Sequence, residues 1–459
     1  MHTLRSPRGF LRVLLLCVCV VYLFVNRHWF MGENEQNNTS VLTSVDGWNL
    51  FTTMRFKPNA NCLLKMPVQL LRVEPKENEL PVGYVCVFKE TVIEVVRLIC
   101  VNKHWKWKQR ENRTDVMRGI LEDWSTNKTL FIVHESSTAF QHNFFRNITR
   151  SKRVLISTIS RAHFVFGTRK SQLNYIRKQV KSYGLILHML NIIPRFFLAS
   201  ERKDCIDFLK YASQNPDSKW IVHPYDEVVG DKVEACQNLS LLIEKCRART
   251  ILKENQFMIQ EQLTNVLSLS GSKFDVRAYL LIARTDPYFV FYHPGYLKVA
   301  GTTDKEGLSI SLDSFWSFED FQDYISETSF DSDYFVERDL ERFIKRTGLL
   351  LFKAGMNTFE RLPGTYLLLE LKFMVTHDLF IWFVEANDNP VWPKDISELY
   401  SMGSDMLDLV IEIHSSPDEL GKLVPGERYG NWELVYNELI NKCTGNHFIP
   451  FGDVPIQPI

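Results

Sequence analysis

Residues 366–393 read Tyr366-Leu367-Leu368-Leu369-Glu370-Leu371-Lys372-Phe373-Met374-Val375-Thr376-His377-Asp378-Leu379-Phe380-Ile381-Trp382-Phe383-Val384-Glu385-Ala386-Asn387-Asp388-Asn389-Pro390-Val391-Trp392-Pro393. Two apolar runs, 366–369 and 379–384, predict buried strands joined by a turn at Thr376-His377-Asp378. The second strand ends in Glu385 and Asn387, which alternation places on one face. A carboxylate and an amide oxygen at that spacing suit Mg²⁺, a hard cation that takes oxygen ligands. On the facing strand, where such a site would want another carboxylate, the residue is Lys372. Glu370 lies two residues earlier on the same face and offers a substitute ligand.

The chain has 459 residues and 45% apolar content, enough for a large core and more than one domain. Its 54 basic and 54 acidic residues cancel, so no global field draws it to nucleic acid. A local basic cluster, Arg169-Lys170, Arg177-Lys178 and Lys181, reads as a solvated helix face.

Arg5, Arg8 and Arg12 precede an apolar run that ends at Val25, and no small-x-small cleavage site follows. This predicts an uncleaved signal anchor at 10–31, a cytosolic tail at 1–9 and a type II single-pass protein whose body faces the secretory lumen, endoplasmic reticulum or Golgi. N-x-[ST] triplets at Asn37, Asn38, Asn112, Asn127, Asn147 and Asn238 point the same way, toward a glycoprotein. Seven cysteines outside the apolar segment leave at least one unpaired, and none has zinc-ligand spacing.

Residues 32–46 are polar and read as a stem, and 47–152 as a membrane-proximal region of short β-like pieces. From about 153, strands and helices alternate in an α+β manner. Strands are expected at 154–157, 192–198 and 219–224, and helices at 170–184, 204–213 and 404–414. A C-terminal extension, 411–459, ends in a Pro-broken tail.

Further segments follow in a set order. Trp220-Ile221-Val222-His223-Pro224 comes first, with Gly230-Asp231-Lys232-Val233 after it. Phe257-Met258-Ile259-Gln260-Glu261-Gln262-Leu263 is next, followed by Gly271-Ser272-Lys273-Phe274-Asp275-Val276-Arg277-Ala278-Tyr279-Leu280. Glu385-Ala386-Asn387-Asp388-Asn389-Pro390 closes the series. Over 153–410 this order resembles the tubulin tyrosine ligase-like family, whose fold is ATP-grasp: an α+β body built on an antiparallel sheet. The resemblance implies a ligase that uses ATP and Mg²⁺ to join an amino acid to a protein carboxylate on an acidic tail, usually that of tubulin. Glutamate is expected because polyglutamylases form the family's largest branch; nothing in the residues selects the amino acid.

The chemistry explains the residue types, since carboxylate attack on a phosphate brings anions together and needs cations around the transferring group. By resemblance, Gln260, Glu261, Gln262 and Leu263 lie beside adenine, while His223, Lys273 and Asp275 hold nucleotide groups. Arg277 and Lys298 orient the acyl-phosphate against the incoming amine. Glu385 and Asn387, with Glu370, hold Mg²⁺. On the residues alone, the alternative readings are that Lys273, Asp275 and Arg277 form the solvent face of an edge strand, and that Glu385 and Asn387 cap a strand end and an adjacent turn.

Departures from the family pattern fall on the phosphate and metal machinery. His223 replaces a lysine, Lys232 the second glycine of a phosphate loop, and Lys372 a metal aspartate. The expectation is a ligase with weakened ATP and Mg²⁺ binding; the alternative is a catalytically inactive binding or scaffold protein. A lumenal body also conflicts with tubulin, which is cytosolic. An unrelated Golgi glycosyltransferase, with Asp331 and Asp333 as its metal pair, is the remaining fold alternative.

Overall fold

The computed structural model describes residues 82–86, 99–110, 131–134, 154–159, 161–183, 192–199, 201–224, 234–235, 240, 243, 257–301, 314–328, 334–362, 364–388, 390, 397–415 and 422–440. All lie within the compact unit Lys57–Ile459. The expected anchor, stem, glycosylation sites, Gly230–Lys232 loop, Asp331/Asp333 pair and C-terminal tail lie outside the described residues.

Strands β1 (Val82–Cys86), β2 (Lys106–Arg110), β3 (Phe131–His134) and β4 (Val154–Ile156) form a parallel sheet in the order β2-β1-β3-β4. Helices α1 (His163–Phe166) and α2 (Arg169–Tyr183) follow. Strand β5 (Phe196–Leu198), helix α3 (Arg202–Gln214), β6 (Trp220–Pro224), β7 (Glu234–Ala235) and β8 (Phe257–Glu261) come next. These strands make an antiparallel sheet, β5-β8-β6-β7, packed on α3 through Phe197, Phe208, Trp220 and Ile259.

The central sheet begins with β9 (Ser268–Leu269), β10 (Ser272–Thr285), β11 (Tyr288–Val299) and β12 (Ser314–Trp316). After α4 (Phe318–Thr328) and a π-helical turn at Phe335–Glu341 that leads into α5 (Arg342–Gly355), it resumes with β13 (Leu367–Val375) and β14 (Ile381–Asn387). Helix α6 (Ser397–Ser415) precedes β15 (Arg428–Tyr429) and β16 (Trp432–Asn437). Its order is β14-β13-β10-β11-β16-β15, antiparallel throughout, with β9 on β10 and β12 on β11. The described body is therefore α+β, with antiparallel sheets at its centre, and the sheet draws in β15 and β16 from beyond residue 410.

Residues 278–285 of β10 are buried without alternation because the sheet is covered on both faces. Val276, Leu280 and Ile282 share a buried cluster with Leu349 and Phe352 of α5, whereas Tyr279, Leu281 and Ala283 share another with Leu409 and Ile413 of α6. At Gly348 a Cβ would stand 2.9 Å from Cδ1 of Leu371, so a larger residue there would require the end of that leucine side chain to shift.

The first strand of the opening stretch, expected at 366–369, extends to Val375, because Leu371, Phe373 and Val375 continue the buried face while Lys372 and Met374 are half-buried. The helices match the expected positions but begin earlier: α2 at Arg169, α3 at Arg202 and α6 at Ser397. Among the described residues no helix is long and apolar enough to cross a membrane.

A bulge re-aims the central strand. Arg277 pairs with Tyr296 and Tyr279 with His293, so Pro294 and Gly295 lie opposite the single residue Ala278. Proline has no N–H to give the ladder and is tolerated here. Gly295 has φ +77°, and a Cβ there would lie 2.0 Å from the Arg277 carbonyl oxygen. Gly295→Ala should therefore lower the unfolding free energy by more than the roughly 1–2 kcal/mol that a left-handed backbone alone costs, read by urea denaturation.

His293 anchors the same bulge, its Nδ1 accepting the Gly295 N–H at 3.0 Å while its ring packs on Trp432. Burial, with Arg428 nearby, lowers its pKa from 6.5 to about 4. The unfolded chain thus takes up this proton first. The histidine's contribution is present above about pH 6.5 and is lost as pH falls toward about 4. His293→Asn, which cannot take up that proton, should flatten the fall in Tm across this window.

Candidate functional site

Strand register brings the expected polar residues into rows on one face of the central sheet. Arg277 of β10 pairs with Lys372 of β13, which pairs with Glu385 of β14. One row on, Tyr279 pairs with Glu370, and Glu370 with Asn387. On the other side of β10, Asp275 pairs with Lys298 of β11. Lys372 stands directly across from Glu385.

The charges in these rows satisfy one another. Arg277 donates to Asp275 through Nε at 2.7 Å and to Glu370 through Nη1 at 3.1 Å. The Tyr279 hydroxyl donates to the other Glu370 oxygen at 3.4 Å, and Lys372 Nζ lies 3.4 Å from Asp275. Burial raises the Glu370 pKa; Arg277 opposes this, while Asp275 and Glu385 add to it. Burial disfavours charge on Arg277, but Glu370 and Asp275 more than offset it and hold the guanidinium protonated, its pKa raised.

A second cluster joins the two antiparallel sheets. Arg169, the first residue of α2, donates from Nη2 to Glu385 and lies 2.9 Å through Nη1 from His223 Nδ1. His223, on β6, reaches Gln260 of β8 at 3.0 Å. Burial, with Arg169 adjacent, lowers the His223 pKa to about 3, so the ring is neutral. A neutral ring that accepts from Arg169 at Nδ1 has Nε2–H to donate to the Gln260 carbonyl oxygen. Three residues along α2, the fully buried Gln172 donates to the Ala386 carbonyl at 3.0 Å and accepts the Ala386 N–H at 3.1 Å. It thereby satisfies the outer edge of β14 as a further strand would.

The remaining expected residues are placed less centrally. Gln260 is buried, but the Glu261 carboxylate accepts from Ser218 at 2.8 Å and Tyr211 at 3.2 Å, turned toward α3. The Glu261 and Gln262 N–H groups donate to Arg195 and Lys219 carbonyls, and half-buried Leu263 follows the strand end. Lys273 is exposed at the start of β10, and Lys298 is half-buried. Sequence reasoning missed Arg169 and Gln172 by assigning the basic cluster to a solvated face. Arg169 is only 7% exposed, and Arg177 pairs with Asp204 at 2.6 Å. The available signal was the three-residue spacing of Arg169 and Gln172, which puts both on one side of the helix.

The donor set expected for Mg²⁺ does not fit a divalent ion in this arrangement. Glu370 and Glu385 are each paired with a guanidinium, and Lys372 stands in their row. Three carboxylates, Asp275, Glu370 and Glu385, are balanced by three cations, Arg169, Arg277 and Lys372. Among the described residues no group of three His, Cys, Asp or Glu side chains is placed to hold a metal ion.

The tubulin-tyrosine ligase family model matches residues 159–303, which carry Arg169, His223, Gln260, Arg277 and Lys298 and stop before β13. The chain is 22% identical over 256 residues to tubulin glycylase 3A of Drosophila melanogaster, covering 50% of this chain and 25% of that protein. It is 25% identical over 217 residues to protein polyglycylase TTLL10 of Macaca fascicularis, covering 42% of this chain and 32% of the relative. Inactive polyglycylase TTLL10 of Homo sapiens matches at 23% identity over 217 residues, 42% of this chain and 29% of the relative. The matched region thus spans about a quarter to a third of these relatives' lengths.

The expected placement as a type II membrane protein of the secretory lumen does not stand. No helix among the described residues is long and apolar enough to span a bilayer, and residues 10–31 lie outside them. One matching relative is by name a tubulin glycylase. These matches bear out the resemblance of the ordered segments to the tubulin tyrosine ligase-like family, whose model covers the part of the chain from α1 to the end of β11.

Proposed function

We propose that residues 153–410 are an ATP-grasp-type amino-acid ligase body that acts on an acidic protein tail such as tubulin's, with turnover weakened at Lys372. The observation that carries this is the register: Arg277, Lys372 and Glu385 share one row, and Glu385 is joined through Arg169 to His223 and Gln260 of the second sheet. Catalytic and nucleotide-holding residue types thus converge from both antiparallel sheets on one place, as a ligase that works between two sheets requires.

In this reading Gln260–Leu263 lie beside adenine, and Lys273, Asp275 and His223 face the phosphates. Arg277 and Lys298 hold the substrate carboxylate and its activated form against the amine. Arg277 is suited to this because its planar fork is already held by Asp275 and Glu370 and cannot lose its proton. By resemblance Glu385 and Asn387 stand at metal positions of the family, with Lys372 in place of the metal aspartate and Glu370 as the substitute, but no step is routed through a metal because both carboxylates are already paired with guanidinium groups. The relatives' names favour glycine over the glutamate expected from the family's larger branch.

Incubating the full chain with ATP, an acidic-tail peptide and labelled glycine or glutamate tests this directly. Slow, ATP-dependent incorporation of glycine is expected. Lys372→Asp should raise it by about tenfold or more, one factor of ten for each 1.36 kcal/mol removed from the barrier. Arg277→Lys, which keeps the charge but not the fork, should lower it.

A second reading, a non-catalytic scaffold, is favoured by the Lys372–Asp275 pair and by the human relative named inactive. No incorporation of either amino acid by the wild-type chain or by Lys372→Asp would select it.

A further inference from the structure

We propose that the corner formed by Glu370, Glu385 and Asn387 takes no divalent cation, and that the Arg169 guanidinium and the Lys372 ammonium supply its positive charge, so that nucleotide phosphates enter the cleft free of metal. The proposal rests on the nucleotide-cleft reading above for its ligand, and on the ion pairs alone for its exclusion of metal.

The side chains of Arg169 and Glu385 are each 8% exposed, so their attraction is little screened by solvent or salt. A metal that claimed Glu385 would leave a buried guanidinium without its carboxylate, which is strongly unfavourable. Arg169 cannot swing aside readily. It also bonds His223, and Gln172 fixes the first turn of α2 to the end of β14.

Mg²⁺ demands near-octahedral oxygen ligands at short range and gives up water reluctantly. The corner offers few such oxygens. Both oxygens of Glu370 already accept, from Arg277 and Tyr279, and Glu385 Oε2 accepts from Arg169. Lys372 lies in register beside Glu385, so an ion held there would meet an ammonium group as a neighbour.

The same arrangement suits an anion. Arg169 Nε is buried and makes no hydrogen bond, so the guanidinium keeps one donor still to be met, which an anion bound beside it would satisfy. Built-in guanidinium and ammonium groups then do the electrostatic work of the ion without needing to be bound first.

The test measures Mn²⁺ binding by electron paramagnetic resonance on the full chain without nucleotide, and binding of a fluorescent ATP analogue in Mg²⁺ and in EDTA. The wild-type chain should bind no Mn²⁺, and the analogue should bind with the same Kd, within about twofold, in either condition. Lys372→Asp and Arg169→Gln, each checked for folding by circular dichroism, should gain a Mn²⁺ site, whereas Arg169→Lys, which keeps the charge, should not. A wild-type chain that binds one Mn²⁺, lost in Glu385→Gln, overturns the proposal. So do folded Lys372→Asp and Arg169→Gln variants that both remain silent. Absence of analogue binding in both conditions refutes the nucleotide cleft itself, while the Mn²⁺ data still decide the exclusion of metal.

Discussion

The buried ion pair between Arg169 and Glu385 holds together the parts from which the candidate site is made. Its guanidinium opens α2, its carboxylate ends β14, and through His223 it reaches the second antiparallel sheet. Breaking one side of such a pair costs about 3–5 kcal/mol, because the partner is left charged and desolvated. Gln172 makes the arrangement rigid by pairing with both backbone groups of Ala386. The helix start and the strand end therefore behave as one piece, and the two sheets are tied at the point where their polar residues converge.

Around this pair, a charge reversal is absorbed by its neighbours. A lysine at 372 would repel Arg277 across the strand pair. Asp275 lies against both cations, and Glu370 accepts from Arg277 on its far side. The result is a neutral, closely hydrogen-bonded face in place of a carboxylate-rich one. Its oxygens are engaged, its histidine is neutral, and Arg277 is held charged by Glu370 and Asp275, which leaves little there for a divalent ion.

The bulge of β10 against β11 sets where Arg277 stands. Pro294 cannot join the ladder, and Gly295 accepts a backbone angle and a close approach that a side chain would forbid. Local chain chemistry thus places the site's central cation, while helices on both faces hold the strand that carries it.

Much of this was legible in residue order. Two apolar runs located β14 and the start of β13, alternation put Glu385 and Asn387 on one face, and Lys372 was expected on the facing strand, where it pairs with Glu385. The segments around His223, Gln260 and Arg277 carried the family resemblance. The sequence by itself therefore determined the α+β class, the family resemblance and the row of polar residues on the sheet. Only the tertiary structure decided how those charges are met. Arg169 lies 216 residues from Glu385, and a basic residue at a helix start reads as solvated until the strand end it touches is known. Whether a carboxylate is a free ligand or a satisfied partner depends on what packs against it, and no local pattern encodes that contact.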